Sequence, residues 1–138
     1  MRLVLDTSAL VVALHSPTGA SAAELHRLAE RGRLTLLATA SLAIEYEAVC
    51  RREDHRIAAG LSREDVTRFL DAMIEPVDAW FLWRPQPPDA GDELVLEAAA
   101  NGRAEAITTF NRRDFEPAAL RFGLRVLLPA EVLRRIER

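Results

Sequence analysis

The sequence predicts an α/β protein, a three-layer α/β/α sandwich with a central parallel sheet. Short apolar runs with the character of buried strands alternate along the chain with longer segments of helical spacing. The first run, from Leu3 to Leu5, is apolar at every position and is followed by the acid Asp6. Such runs are typical of parallel strands that are covered on both faces, and a sheet of these strands needs a layer of helices on each side.

Turn and capping residues locate the individual elements. Strands are predicted at Leu3 to Leu5, Leu34 to Ala38, Glu75 to Ala79, Ala106 to Thr109 and Leu124 to Leu128. Helices are predicted at Ala20 to Arg31, from a cap at Thr39 or Ser41 to about Arg52, at Ser62 to Ile74, at Asp92 to Ala100, and from Pro129 onward. Helix ends are expected at Gly32 and Asn101-Gly102, a rigid connector at Pro85, Pro87 and Pro88, and a polar loop at Asn111 to Asp114.

Length, charge and cysteine content exclude several classes of protein. The 138 residues suit a single domain, residues 1–138, and the net charge of −3 is unlike that of a protein that coats nucleic acid. All 18 basic residues are arginine, which suits phosphate groups, although a compositional bias of the genome explains this feature on its own. No segment is apolar enough to span a bilayer, so no membrane association is expected. The single cysteine, Cys50, excludes an internal disulfide framework and makes a cytoplasmic location the default.

Polar residues cluster where predicted strands end. Asp6 follows the first strand, Asn111 and Asp114 follow the strand that ends at Thr109, and Asp92 begins the helix after the proline connector. In open α/β sheets, ligands bind outside the carboxyl ends of the strands. An acid directly after a buried strand rarely serves packing, whereas Asp92 could be a simple N-cap and Asp114 a simple loop residue.

Glu45 lies in the middle of a predicted helix, with Leu42 and Val49 on the same face. It therefore either interrupts an apolar stripe or stands at the exposed edge of that stripe. An ionised carboxylate that is buried without a partner costs several kcal/mol, so an inward-facing Glu45 requires a cation. Arg52 and Arg56 follow on the same face, where they could pair with acids or bind a phosphate.

Carboxylates that converge from separate elements favour a hard divalent cation such as Mg²⁺ or Mn²⁺, because these ions prefer oxygen ligands. Such an ion can activate a water for attack on phosphorus and can neutralise charge on a phosphate. The three histidines, His15, His26 and His55, lack the spacing of a zinc site. The residues therefore indicate metal-dependent chemistry on a phosphate ester.

Four blocks of sequence in a fixed order resemble a known family. They are LVLDTSALVVAL, SLAIEYEAVCRR, DAGDELVLEAAANGRAEAITTFNRRDF and LRVLLPAEVL. The ordered set is similar to PIN-domain proteins and, more narrowly, to VapC-like toxins of bacterial type II toxin–antitoxin pairs. The resemblance covers nearly the whole chain.

The resemblance implies a Mg²⁺- or Mn²⁺-dependent endoribonuclease with an RNA substrate, a homodimeric assembly and a small antitoxin partner. Carried over by position, the first three acids of the family's site are Asp6, Glu45 and Asp92. Asn111 takes the place of a variable fourth acid, and Asp114 stands three residues later. An asparagine does not supply the charge that a fully occupied two-metal site would have. The remaining positions are auxiliary: Thr7, Ser8 and Thr109 as polar groups around the metal or phosphate, with Asp89 and Glu93 as secondary candidates.

Two other functions fit the same residues. A PIN fold with a weakened fourth acid could bind RNA or a partner without cutting it, and the same chemistry could act on DNA, although no added DNA-binding arm is apparent. The predicted helices Ala20 to Arg31 and Ser62 to Ile74 are amphipathic. Their apolar faces could contact a second copy or an antitoxin, or could simply pack on the sheet.

Overall fold

A computed structural model describes residues 1–15, 27–52, 62–71, 74–78 and 90–136 of the chain. The strands are β1 (Arg2–Leu5), β2 (Thr35–Thr39), β3 (Ile74–Val77), β4 (Ala106–Thr108) and β5 (Arg125–Leu127). The helices are α1 (Thr7–His15), α2 (Ala40–Cys50), α3 (Arg63–Asp71), α4 (Ala90–Asn101), α5 (Arg112–Arg121) and α6 (Pro129–Ile136), and residues 27–30 are also helical.

The five strands form one sheet in the order β3-β2-β1-β4-β5, and each neighbouring pair is parallel. β1 is central, with Leu3 paired to Leu36 of β2 on one side and to Ala106 of β4 on the other. Leu3, Val4 and Leu5 are all buried. Because successive residues of a strand point to opposite faces, both faces of β1 are covered. The predicted α/β class with a central parallel sheet is therefore confirmed.

The helices pack on the sheet and on one another. α2 contacts α1, α3 and α4, and α4 also contacts β1, β2 and β4. The inward face of α2 presents Leu42, Tyr46 and Cys50 at intervals of four residues, which place them on one side of the helix. Val66 and Leu70 of α3 are buried in the chain's own core. This apolar face of the predicted 62–74 helix therefore packs internally, which favours the structural explanation of its amphipathic pattern.

Two helices were not predicted. α1 begins directly after Asp6, and its mostly apolar sequence carries little of the periodicity that identifies a helix. The polar loop predicted at Asn111 to Asp114 was wrong, because α5 begins at Arg112 and only Asn111 of that segment precedes the helix. Its buried residues Phe115, Ala118 and Ala119 have helical spacing, but Pro117 and the charged first turn obscure the pattern.

Several predicted boundaries also change. The helix that carries Asp92 begins at Ala90, so Asp92 lies in its first turn and is not the N-cap. α2 ends at Cys50, so Arg52 is outside it, and α3 ends at Asp71. The predicted cap at Thr39 is confirmed, because its hydroxyl accepts a hydrogen bond from the Leu42 N–H at 3.2 Å. The segments 20–26, 79–81 and 85–89, including the proline connector, lie outside the described residues.

In the turn after α4, Arg103 adopts the left-handed backbone conformation and Gly102 makes a close packing contact. The predicted helix end at Asn101 is confirmed, but the left-handed conformation falls on Arg103, with φ 52°. The N–H of Ala104 bonds to the carbonyl of Ala99 at 3.0 Å, which closes the end of the helix. Gly102 is instead required by packing, because a Cβ there would lie 3.0 Å from side-chain atoms of both Leu37 and Val77.

Substitutions at these two positions are expected to have opposite effects on stability. Gly102→Ala should lower the free energy of unfolding by about 1–3 kcal/mol, because the added methyl group overpacks the contact with the sheet. Arg103→Gly should raise it by about 0.5–1 kcal/mol, because glycine adopts a positive φ without steric cost. Urea denaturation of both variants measures these changes. A stable Gly102→Ala protein, or a destabilised Arg103→Gly protein, would contradict this account of the turn.

Candidate active site

Asp6 joins the central strand to the first helix. Its N–H continues the sheet by bonding to the Thr108 carbonyl at 2.8 Å, and its own carbonyl accepts the Ala9 N–H at 3.0 Å at the start of α1. These two bonds fix the backbone of Asp6 at the carboxyl end of β1, where ligands of parallel sheets bind. The residue is only 7% exposed.

Two hydroxyl groups hold the Asp6 carboxylate. Ser8 donates to Oδ2 at 2.6 Å from α1, and Thr109 donates to the same oxygen at 2.8 Å from the end of β4. The Thr109 hydroxyl also accepts the backbone N–H of Asn111 at 2.9 Å. Within the described ranges, no arginine lies at ion-pair distance from Asp6. The structure therefore buries an acid whose only described side-chain partners are neutral hydroxyls on one of its two oxygens.

Glu45 lies beside Asp6 because α2 is anchored to β1. The Tyr46 hydroxyl donates to the Leu5 carbonyl at 2.5 Å, and the Thr7 hydroxyl donates to Glu45 Oε2 at 3.4 Å. Burial raises the pKa of Tyr46 well above its usual value, and the nearby charges of Asp6, Glu45 and Cys50 raise it further. Tyr46 thus remains neutral between the two acids. Glu45 itself is half-buried, at the edge of the apolar stripe.

Asp92 is placed in the same region by its helix. It is half-buried in the first turn of α4, next to the secondary candidate Glu93. α4 contacts both β1, which ends at Asp6, and α2, which carries Glu45. All three predicted acids therefore lie on elements that touch one another. Asp89 lies outside the described residues.

Asn111 and Asp114 occupy the start of α5. Asn111 is exposed and is the N-cap, yet its side chain makes no capping hydrogen bond. Asp114 is half-buried in the first turn, and its N–H bonds to the Asn111 carbonyl at 3.2 Å. Because the Asn111 N–H bonds to Thr109, which in turn bonds to Asp6, the start of α5 is connected to the Asp6 carboxylate through one side chain.

The structure describes one of the two arginines that were predicted to bind a phosphate. Arg52 is exposed in the turn that follows α2, seven residues beyond Glu45. Seven residues of helix correspond to roughly 10 Å along the axis, and the chain is no longer helical at Arg52. The prediction that it shares a helix face with Glu45 was therefore wrong. Arg56 lies outside the described residues.

Two further side chains were not among the predicted site residues. Glu97 of α4 is only 3% exposed, and it interrupts the apolar run LVLEAAA in the way that Glu45 interrupts its own stripe. Phe110 follows Thr109 at the end of β4 and is 46% exposed. The apolar surroundings of Glu97 are a signal that could have been found in the sequence, whereas the exposure of Phe110 could not.

The donors around Asp6 are all oxygen atoms, which is the ligand chemistry that Mg²⁺ and Mn²⁺ prefer. In the described ranges, no group of three or more His, Cys, Asp or Glu side chains is arranged to hold a metal ion. Mg²⁺ needs no such cage, since it usually keeps several waters and binds one or two carboxylates together with substrate phosphates. Asp6 Oδ1, which accepts neither described hydroxyl, is a suitable first ligand. The chemical type of the ligand atoms present therefore fits Mg²⁺ or Mn²⁺.

Comparison with known proteins decides the family. The sequence pattern of the PIN domain matches residues 2–113. The chain belongs to the PIN-domain family. PIN domains are generally nucleases that use divalent metal ions, which supports a hydrolase acting on nucleic acid. No curated protein sequence matches this PIN domain at a significant level.

A solved structure supports the fold. One chain in the crystal structure of VapBC2 from Rickettsia felis, bound to a DNA fragment from their promoter, aligns with a TM-score of 0.53. The alignment covers 93% of this chain and 98% of that chain, with 13% sequence identity. At this identity the likeness establishes the PIN-like fold alone. No helix in the described part of the chain is long and apolar enough to cross a membrane.

The buried thiol of Cys50 should make the free energy of unfolding of this PIN domain depend on pH in the alkaline range. Burial raises the pKa of Cys50 from 9.0 to about 11. A folded-state pKa above the unfolded value stabilises the protein fully below pH 9, and this stabilisation is lost as the pH rises through 11. The thiol should therefore account for a loss of about 2 kcal/mol of unfolding free energy between pH 8 and 10.5.

Cys50→Ala tests this contribution. Urea denaturation at pH 8 and pH 10.5 should show a smaller alkaline loss of unfolding free energy in the variant, because the thiol no longer contributes while the raised pKa of Tyr46 still does. The measurement is the difference between the alkaline loss of unfolding free energy in the wild type and that in the variant. The cost of the small cavity left by the substitution is the same at both pH values and therefore cancels. Equal losses in the two proteins would contradict the assignment.

Proposed function

We propose that this PIN domain is a metal-dependent endoribonuclease and the toxin of a type II toxin–antitoxin pair. Asp6 would bind a Mg²⁺ or Mn²⁺ ion directly, Glu45 and Asp92 would complete its acidic surroundings directly or through its waters, and Asn111 or Asp114 would orient the ion or its waters. The observation that carries the proposal is the buried Asp6 carboxylate, held by two neutral hydroxyls and without a cationic partner among the described residues. Its burial is costly unless a cation binds beside it.

The chain's own residues would prepare the reaction by fixing this carboxylate. Ser8 and Thr109 donate to Oδ2, which orients Oδ1 toward a ligand position. Thr7 bonds to Glu45, and neutral Tyr46 joins α2 to β1 without adding charge. When bound, the ion would supply an activated water and neutralise charge on the phosphate.

The proposed partners are supported by the likeness to the VapBC2 structure. The VapBC2 structure is bound to a DNA fragment from their promoter, and the alignment covers 93% of the present chain. We infer a similar pairing with a small antitoxin here, together with a homodimeric assembly and action on RNA in the cytoplasm. Copurification with the product of a neighbouring small gene would support the pairing. Unimpaired growth of a host that expresses the chain alone would count against toxicity.

Asp6→Asn should abolish most RNA cleavage while keeping the shape of the side chain. Losing a metal ligand that contributes several kcal/mol to the transition state should lower the rate at least about 100-fold. Chelation by EDTA should stop cleavage by the wild-type protein, and Mg²⁺ or Mn²⁺ should restore it. Cleavage of labelled RNA, measured at equal protein concentrations, gives the rates.

Asp71→Asn is the matched control, because Asp71 is an exposed aspartate at the end of α3. It should cleave like the wild type, and thermal unfolding should confirm that both variants fold. Cleavage by Asp6→Asn at the wild-type rate, or cleavage that ignores EDTA, would refute the proposal. Competition with single-stranded DNA distinguishes a ribonuclease from a nuclease that accepts either backbone.

A second function, RNA or partner binding without cleavage, is favoured by one observation. The position that is connected to Asp6 through Thr109 carries the exposed, uncharged amide of Asn111. Asparagine cannot supply the negative charge that a second metal position requires. A negative charge at position 111 should therefore strengthen metal-dependent RNA cleavage by a weak nuclease, whereas a pure binding module would still not cleave RNA.

Asn111→Asp separates these two functions. One added charge near a divalent ion is worth about 1 kcal/mol even in a watery environment, so half-maximal activity should need at least about fivefold less Mg²⁺. The metal titration is the deciding measurement, because an aspartate N-cap also stabilises α5 directly. RNA binding without cleavage by either protein, at any Mg²⁺ concentration, would favour the binding module.

A further inference from the structure

Phe110 is a large aromatic side chain exposed beside the acidic site. It stands between Thr109, which bonds to Asp6, and the N-cap Asn111, so its backbone is fixed on both sides. The other large exposed apolar residues in the described ranges, Ile44 and Leu120, are aliphatic. An aromatic ring held in solvent next to a phosphodiester site has a face that can stack on a planar group.

Phe110 lines an open pocket with a volume of about 530 Å³, which is within the size range of small-ligand sites. The other lining residues are Asn111, Arg112, Arg113 and Leu128. All of them follow β4 or β5, at the same edge of the sheet as Asp6. The pocket therefore combines an aromatic ring, an aliphatic wall, an amide and two guanidinium groups, and it begins one residue after Thr109, which bonds to Asp6.

The two arginines differ in what remains available to a ligand. Arg112 forms an ion pair with Glu131, and Glu131 also accepts the Leu128 N–H at 3.0 Å. The charge of Arg112 is thus paired with Glu131, which also fixes the backbone of Leu128 in the wall of the pocket. Arg113 is exposed and has no acidic partner in the described part of the chain. Its charge remains available to a phosphate.

We propose that this pocket, hereafter the Phe110 pocket, binds the base of a nucleotide flanking the cleaved phosphate in single-stranded RNA. Phe110 stacks on the base and Arg113 contacts a backbone phosphate. The Asn111 amide reads the edge of the base, which leaves Asp114 to orient the ion or its waters. This inference rests on the proposed ribonuclease function and deepens it by naming a substrate subsite. Unstacked bases that lie on aromatic rings are the usual mode of single-strand recognition, and an amide offers both a donor and an acceptor.

Binding of RNA to an uncleaving protein tests the subsite without relying on activity. In an Asp6→Asn background, Phe110→Ala should weaken binding of a short fluorescent single-stranded RNA by about 5- to 150-fold, the range for losing one base–aromatic stack. Phe110→Trp should restore the affinity, whereas Phe110→Leu, which is apolar but has no aromatic face, should not. Leu120→Ala is the matched control, because it removes another exposed apolar side chain.

Abasic substitution identifies the stacked nucleotide. With an abasic nucleotide at one position of the RNA, Phe110→Ala and the protein with Phe110 intact should bind equally. Three results would overturn the proposal: less than a twofold effect of Phe110→Ala, full affinity of Phe110→Leu, or a loss that no abasic position removes. If the wild type cleaves RNA while Phe110→Ala has no effect, only the subsite is refuted; if the wild type neither binds nor cleaves RNA, the proposed function is refuted as well.

The phosphate contact has a separate measurement. Arg113→Gln should reduce the slope of log Kd against log salt concentration by about 0.7, the value for one phosphate contact on a single strand. Arg103→Gln is the control, because this exposed arginine lies before β4, at the opposite edge of the sheet. Equal slopes for Arg113→Gln and the parent protein would show that Arg113 contacts no phosphate and would overturn its assigned role.

Discussion

The buried carboxylate of Asp6 imposes the main constraint on this PIN domain. A charged group at the end of the central strand would oppose folding unless its surroundings compensated for the lost water. Two hydroxyl donors provide part of that compensation, one from the next residues of the chain and one from a strand more than a hundred residues away. The same arrangement leaves the carboxylate well suited to a cation, so the element that costs stability is also the one that defines the site.

The position of β1 in the sheet explains how the other candidate site residues assemble around Asp6. β1 lies between β2 and β4, so the segments that leave those two strands begin beside it. α2 follows β2 directly and is tied back to Leu5 by Tyr46, which carries Glu45 toward Asp6. The segment after β4 supplies Thr109, Phe110 and the start of α5. A single central strand thus collects residues from distant parts of the chain at one edge.

Much of this arrangement was predictable from local sequence. The apolar runs located every strand to within one or two residues, because a strand buried on both faces has a distinctive composition. α1 and α5 were not predicted, since the first is too uniformly apolar to show periodicity and the second carries a proline and a charged first turn. The assignment of Arg52 to the face of Glu45 failed because α2 ends at Cys50, and a helix end depends on capping and packing that a face pattern does not contain.

The sequence by itself determined the family, the α/β class and the acids at the strand ends, because each depends on local composition and on order along the chain. Only the tertiary structure decided which oxygen of Asp6 is held, that Thr109 links it to Asn111, and that Phe110 stands in solvent beside them. The bond between Asp6 and Thr109 joins residues 103 positions apart in the sequence, so its geometry depends on strand register and helix packing. Asp6, which the sequence marks as an acid after a buried strand, becomes through those contacts an oriented carboxylate with one oxygen suited to a metal ligand.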